Sequence, residues 1–387
     1  MKKKICFVYN NIFSLGGIQK VITNLANHLV EKYDVTVICT SKIYRKRLLV
    51  NYGLSDHVKV LYLDGTPFYF VMRCIRKVML VIKCDEIKKQ IESRMMKAQQ
   101  KQLVKIFNQE NYDAIFTAAP ELCITVGEIR EKLHCKKAYG WWHHCLPVYE
   151  QNWLTRYGEE RFLSQFTNLD KVLVLSKDDQ RLIKEKYGFD TEVMYNAVAN
   201  NTEGKSANLA SKQIFLAGRY NKIKGFDRAI EAFSIVKQNC PEFKDWTVKI
   251  AGSGPEEKSL SEQIEKLGLE QQVFIVGQQD LNQMRELFEH SSIYLMPSRA
   301  EGFGMSLCEA MFWRLPVLVM DWPVFHEILP TDFSIVPQDD IDQYADRIIK
   351  LIRSEKLRKQ EADKNYRKVQ EFSMENISKQ WVKIIEQ

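Results

Sequence analysis

The sequence lacks several features that would each define a protein class. Over 387 residues no apolar run reaches the roughly 18 residues of a membrane span. The basic start leads into an apolar run from Ile5 to Tyr9 only. A secretory leader needs about 7–15 such residues, so the segment reads as a first β-strand and the protein is expected in the cytosol. None of the nine cysteines forms a C-x-x-C pair, which argues against a zinc ribbon or a dithiol redox site. An odd, scattered set suits buried free thiols in a reducing compartment. His143, His144 and Cys145 are adjacent, but neighbours seldom converge on one ion and no second ligand pair is evident, so no metal site is expected. No G-x-G-x-x-G follows the first strand, which ranks a dinucleotide oxidoreductase last among the alternatives. No internal repeat of about 20–50 residues is evident either.

What is present suits a two-domain α/β enzyme. The length exceeds one ordinary hydrophobic core, and 45% apolar with 27% charged residues fits a globular chain. Charge is uneven. Residues 1–200 hold 31 Lys+Arg against 21 Asp+Glu, whereas 201–387 hold 25 against 28. Within 71–105, ten basic residues interleave with apolar ones and meet only Asp85, Glu86 and Glu92. A basic amphipathic helix of this kind lies on an anionic membrane face or packs its apolar side on its own domain. Nucleic acid is not expected, because aromatics do not alternate with the charges.

The spacing predicts a strand at Lys3–Tyr9, a loop to Gly17, a helix through Val30 and a second strand at Val35–Cys39. This opening is that of a doubly wound domain. Further strands are expected at Val58–Leu63, Ala114–Thr117, Lys137–Gly140 and Lys171–Leu175. Residues 199–212 are small and polar and read as a linker. A second series follows, with strands at Ile214–Ala217, Thr247–Ala251, Val273–Val276, Ile293–Met296 and Val317–Val319. Helices are expected at Asp227–Gln238, Glu256–Leu267, Asn282–His290 and Gly304–Phe312, and 340–387 reads as helices only. The domains are thus 1–198, 213–370 and a terminal helix, 371–387, packing back on the first. Ligand is expected at the carboxyl ends of both sheets.

The most specific segment is PSRAEGFGMSLCEAM, Pro297–Met311. Glu301 and Glu309 are separated by seven residues, and Gly302, Phe303 and Gly304 open a helix between them. Glycine lets backbone approach a ligand closely, and a helix N-terminus offers free N–H groups to an anion. A carboxylate two turns along accepts hydrogen bonds from a sugar diol. The structural alternative is a helix with one terminal and one solvated glutamate. The second segment is GRYNKIKGF, Gly218–Phe226, directly after a strand. Arg219 and Lys224 are placed to neutralise a diphosphate, with Lys222 as a competing candidate.

These segments resemble glycosyltransferase family 4, a retaining family of GT-B fold, over nearly the whole chain. The E-x7-E pair appears as EGFG followed by EA, and G-R…K-G resembles the diphosphate-binding pair. AGSGP at 251–255 resembles a further family segment, which implies that Val276, Gly277 and Gln278 lie beside the nucleobase. Gly16 and Gly17 resemble the glycine loop that closes over donor phosphates, and YNAV at 195–198 the N-G-V element. AYGWWHH resembles the strand-end G-W-x-H element. His143 is then the histidine facing the donor sugar, with His144 as fallback. The alternative is a structural histidine beside packed tryptophans. The chain departs from the pattern at Lys177, where glutamate is common, and at Ala197 and Arg314, where glycine is usual. DWPVFHEIL at 321–329 is also unusual.

The resemblance implies metal-independent transfer of a hexose-type sugar from a nucleotide-sugar, with uridine the favoured base, to a saccharide or lipid-linked saccharide in cell-surface polysaccharide or glycolipid synthesis. Arg219, Lys224 and the amides of 302–304 would stabilise the leaving diphosphate. Glu309 would hold the ribose, Glu301 the donor sugar, and His143 the reacting end, with domain closure excluding water. No protein general base is evident. The rivals are an inactive glycosyltransferase-like binding subunit and a nucleotide-sugar epimerase on the same fold.

Overall fold

The computed structural model describes residues 2–14, 16–41, 52–63, 85–200 and 202–387. The chain divides into two units. Unit 1 runs to Ala197 and includes Ile377–Gln387; unit 2 is Val198–Asn376.

Unit 1 is built on a seven-stranded parallel sheet. Its strands are β1 (Lys4–Tyr9), β2 (Asp34–Cys39), β3 (Lys59–Tyr62), β4 (Ala114–Thr117), β5 (Lys137–Trp141), β6 (Lys171–Val174) and β7 (Glu192–Val193). Their order is β3-β2-β1-β4-β5-β6-β7. Both faces are covered, so strands such as Cys6-Phe7-Val8 and Ile115-Phe116 are apolar without alternation. One face carries Cys6, Val8, Ile115 and Trp142, packed on Leu103, Phe107, Leu122 and Phe162. On the other, Phe7, Phe116 and Trp141 surround Trp381 of the C-terminal helix, Met374–Glu386.

Helix α1 (Gly17–Leu29) follows β1, and helix α2 (Asp85–Glu110) precedes β4. Of the basic stretch 71–105, residues 71–84 lie outside the described residues. Within α2, Leu103 and Phe107 are buried in the core, whereas Arg94, Lys97, Lys101 and Lys105 are exposed. No described helix is long and apolar enough to cross a membrane.

Unit 2 has a six-stranded parallel sheet of β8 (Gln213–Ala217), β9 (Thr247–Ala251), β10 (Val273–Gly277), β11 (Ile293–Met296), β12 (Val317–Met320) and β13 (Ile335–Val336). The order is β10-β9-β8-β11-β12-β13. Helix α3 (Phe226–Asn239) packs on this sheet through Ile230, Phe233 and Val236. Helix α4 (Met305–Phe312) follows β11, and helix α5 (Ile341–Arg353) buries Tyr344, Ile348 and Leu351. Residues 202–212, read in sequence as a linker, are hydrogen-bonded into unit 2. Ala207 N–H donates to Trp313 O (2.8 Å), and Arg358 Nε donates to Leu209 O (2.8 Å).

Candidate donor site and a buried histidine

In each sheet the strand order reverses at one place, between β8 and β11 in unit 2 and between β1 and β4 in unit 1. Loops leaving the carboxyl ends on either side of such a switch point diverge and leave room for a ligand.

In unit 2 the two loops there are 218–225 and 297–304, the segments singled out in sequence. Asn221 accepts from Lys224 N–H (3.1 Å) and closes a short turn. Gly225 ends the turn at φ +65°, and a Cβ there would stand 2.0 Å from Pro297 O. Only glycine lets the loops approach this closely. They are then pinned together. Arg299 N–H donates to Ile223 O (2.7 Å), and the Arg299 guanidinium forks onto both Asp227 oxygens (2.8 and 2.6 Å). Burial pushes the Asp227 carboxyl up, but Arg299 outweighs it and leaves the group below its ordinary range.

Within this frame Lys224 Nζ donates to Glu301 Oε2 at 2.5 Å, and Ser298 Oγ lies 3.4 Å from the same oxygen. Arg219 is exposed and forms no ion pair among the described residues, and Lys222 is exposed. Gly302, Phe303 and Gly304 are buried at the entry of α4. Gly304 is the residue before the helix, at φ +86°, rather than its first residue. Burial raises the Tyr294 phenol and the Cys308 thiol, and the negative charge of Glu301 and Glu309 raises both further, so the two carboxylates share one neighbourhood.

On the far side of β8, Gly252 N–H donates to Gly277 O (2.8 Å) and Gly218 N–H to Ala251 O (3.0 Å). The Val276–Gly277 turn therefore joins the same edge. Its geometry is held by Gln279, whose amide donates to Val276 O (2.6 Å), while Gln278 is exposed. Sequence reasoning missed Gln279, Arg299 and Asp227; a contact between positions 72 residues apart leaves no local signal. An Asp-x-Asp triplet occurs at Asp340–Asp342, but Asp340 is used as a cap, accepting from Gln343 N–H (2.9 Å).

In unit 1, Gly16 and Gly17 lead from the β1 loop into α1, and Gly16 N–H donates to Tyr52 Oη (3.1 Å). His143 follows β5. Successive side chains alternate across a sheet. Trp142 accordingly points to one face, stacked on Tyr149 at 3.7 Å with its indole N–H on Gln165 (2.8 Å). Trp141 and His143 share the other direction, with ring centroids 4.4 Å apart. His143 is 8% exposed, yet neither ring nitrogen has a hydrogen-bond partner among the described residues. Burial, and then the charge of His144, pull its pKa down to about 3, so the imidazole is neutral at any ordinary pH. An orphaned buried imidazole costs free energy unless something else satisfies it. His144 instead stacks on Trp153 (5.8 Å).

Comparison with known proteins agrees with this architecture. The model described as Glycosyltransferase Family 4 matches residues 15–201, and that described as Glycosyl transferases group 1 matches 199–368. The chain belongs to glycosyltransferase family 4 and has the two-domain GT-B fold. An uncharacterized glycosyltransferase of Haemophilus influenzae is 25% identical over 99% of this chain and 100% of its own length. The amylovoran biosynthesis glycosyltransferase AmsD of Erwinia amylovora is 27% identical, over 56% of this chain and 62% of its own. The structure of S. aureus TarM in complex with Fondaparinux, alpha-GlcNAc-glycerol and UDP superposes with a TM-score of 0.75 at 14% identity, covering all of both chains.

Proposed function

We propose that this glycosyltransferase moves a hexose-type sugar from a UDP-sugar to a saccharide or lipid-linked saccharide acceptor, with retention and without a metal ion, in the synthesis of a cell-surface polysaccharide. The observation that carries the reading is the pairing of Lys224 with Glu301 across the switch point of unit 2. An ammonium has three N–H donors, and Glu301 takes one. The others remain for a diphosphate. Arg219, exposed at the loop's start, supplies a second cation. The amides at the entry of α4 supply a third source of positive potential.

Loss of the nucleoside diphosphate develops negative charge on phosphate oxygens. Cations and dipoles fixed beforehand stabilise that charge without reorganising. In this reading Glu301 binds donor-sugar hydroxyls, Glu309 binds the ribose, and the Val276–Gln278 turn flanks the base. Gly16 and Gly17 serve the donor phosphates. His143 meets the sugar near the reacting carbon through a neutral imidazole, which hydrogen-bonds a hydroxyl without opposing an oxocarbenium-like centre. The acceptor hydroxyl attacks from the leaving-group face and passes its proton to the departing phosphate. UDP in the TarM structure and the polysaccharide named for AmsD support the donor and pathway assignments. The exposed basic row on α2 supports a contact with anionic membrane, where a lipid-linked acceptor would reside.

A thermal-shift screen against UDP-, GDP- and ADP-sugars tests the donor. The expected result is a rise in melting temperature for the UDP series, lost in Lys224→Ala and Glu309→Ala. No shift with any nucleotide would move the weight to a non-catalytic binding role.

A further inference from the structure

The orientation of a functional histidine is usually fixed by a hydrogen bond to its second ring nitrogen. His143 has no such bond among the described residues. Its backbone N–H donates to Tyr149 Oη (3.2 Å), which anchors the chain but not the ring. Among the described residues the one ring packed on the imidazole is Trp141, at 4.4 Å and 50°. Trp141 in turn has no partner for its indole N–H among the described residues, so packing holds its side chain. Apart from His143 itself, its nearest ring neighbour among the described residues is Trp381, at 4.6 Å in an edge-on arrangement, and Phe7 lies farther off at 6.1 Å.

Trp381 is 238 residues from His143 in sequence and sits on the C-terminal helix. It is fully buried, its own indole N–H has no partner among the described residues, and it wedges against Phe116 (4.9 Å) and Phe7 (5.8 Å). The last turn of that helix is tied to unit 1 by several contacts. Lys3 Nζ donates to Ile385 O (2.9 Å) and pairs with Glu386 (3.0 Å), and Tyr33 Oη donates to Glu386 (2.8 Å). The wedge is therefore fixed in depth as well as direction.

We propose that Trp381 is a positioning residue for His143: it seats Trp141, and Trp141 seats the imidazole. This rests on the reading of His143 given above. A ladder of three rings without hydrogen bonds transmits shape only. Trimming its far end lets Trp141 rotate or sink, and the imidazole follows. Displacements near 1 Å at a reacting centre cost up to about 10²-fold in rate.

The test uses the full chain with histidine labelled for NMR, His143→Gln to assign the His143 signals, and Trp381→Phe as the probe. Leu103→Ala is the control: it trims the same unit's core on the opposite face of the sheet. The expected result is a shift of the His143 ring resonances in Trp381→Phe, with those of Leu103→Ala unchanged. UDP release from the UDP-sugar that most raises the melting temperature should fall roughly 10- to 100-fold in kcat, with KM within about twofold. His143 resonances in Trp381→Phe that match the wild type would overturn the proposal, whatever the stability loss. Wild-type kcat in His143→Gln would instead remove the role of His143 in transfer, while the NMR comparison still decides the packing ladder.

Discussion

Lys224 Nζ and Glu301 Oε2 lie 2.5 Å apart and join two loops that leave neighbouring strands in opposite directions. Glu301 is the more buried partner, with its side chain 12% exposed against 26% for Lys224. Removing the lysine therefore leaves a carboxylate largely cut off from water. Lys224→Ala is expected to lower stability by about 1–3 kcal/mol. Adding Glu301→Gln should return part of that loss, measured by denaturant unfolding of all four members of the cycle. UDP affinity should fall about 10- to 100-fold in Lys224→Ala, the worth of one charge-assisted bond. Calorimetry should find it nearly intact in Glu301→Gln, which is assigned to the sugar.

Gly225→Ala places a methyl group on the Pro297 carbonyl at a backbone angle that L-residues disfavour. The loops must part. The expected cost is about 1–3 kcal/mol, together with weaker UDP binding because Lys224 and Glu301 move apart. Unchanged UDP affinity in a folded Gly225→Ala protein would show that the loop spacing is not what the nucleotide reads.

Much of the fold was legible because buried parallel strands are continuous apolar runs. The limits of β4, β9 and β11 agree with the periodicity to the residue. The two-residue strands β7 and β13 were not, since two residues carry no period. In the site, Lys224 and Glu301 stand in segments that composition and spacing already set apart, but the Arg299–Asp227 fork that aligns those segments depends on tertiary contact alone. No local pattern announces the bond from the Gln279 amide that holds the Val276–Gly277 turn either.

Arg314 shows why a departure from the family pattern can be read physically. It stands where glycine is usual, and the backbone there is left-handed, at φ +57°. The side chain offsets that strain by lying over Tyr366 at 3.8 Å and pairing with Asp363 at 3.1 Å. Left-handed geometry costs a non-glycine residue about 1–2 kcal/mol, and an exposed cation–π contact plus a surface pair returns a similar amount. Arg314→Gly should therefore change stability by less than about 1 kcal/mol. Arg314→Ala keeps the strain and loses both contacts, and should cost about 1 kcal/mol. Equal melting temperatures for the two variants would remove this explanation.

Arg94, Lys97, Lys101 and Lys105 recur at helical spacing along the exposed side of α2, and none is ion-paired among the described residues. Each basic side chain near an anionic surface contributes about 1 kcal/mol. Changing all four to Gln should abolish flotation with liposomes rich in phosphatidylglycerol at low salt, without altering the UDP-induced thermal shift. Wild-type protein that fails to float, or floats equally with neutral lipid, would leave the row as an ordinary solvated face.

His143 also makes unit 1 sensitive to mild acid. In the unfolded chain its imidazole titrates near the usual value of about 6.5; in the folded protein burial holds it at about 3. Below pH 6.5 the unfolded chain takes up a proton that the folded one refuses, so folding grows less favourable as pH falls. The stability is complete above the unfolded pKa and drains away towards the folded one. At pH 5 the loss from this single group is about 2 kcal/mol. His143→Gln keeps a polar side chain of similar reach but cannot titrate. Its melting temperature should therefore fall less than that of the wild type between pH 7.5 and pH 5. Transfer activity should show no inflection from His143 anywhere between pH 5 and 8, because the ring is neutral throughout. Parallel melting curves for the two proteins over that range would mean that the imidazole protonates freely in the folded state. The neutral role assigned to it in transfer would then have to be abandoned.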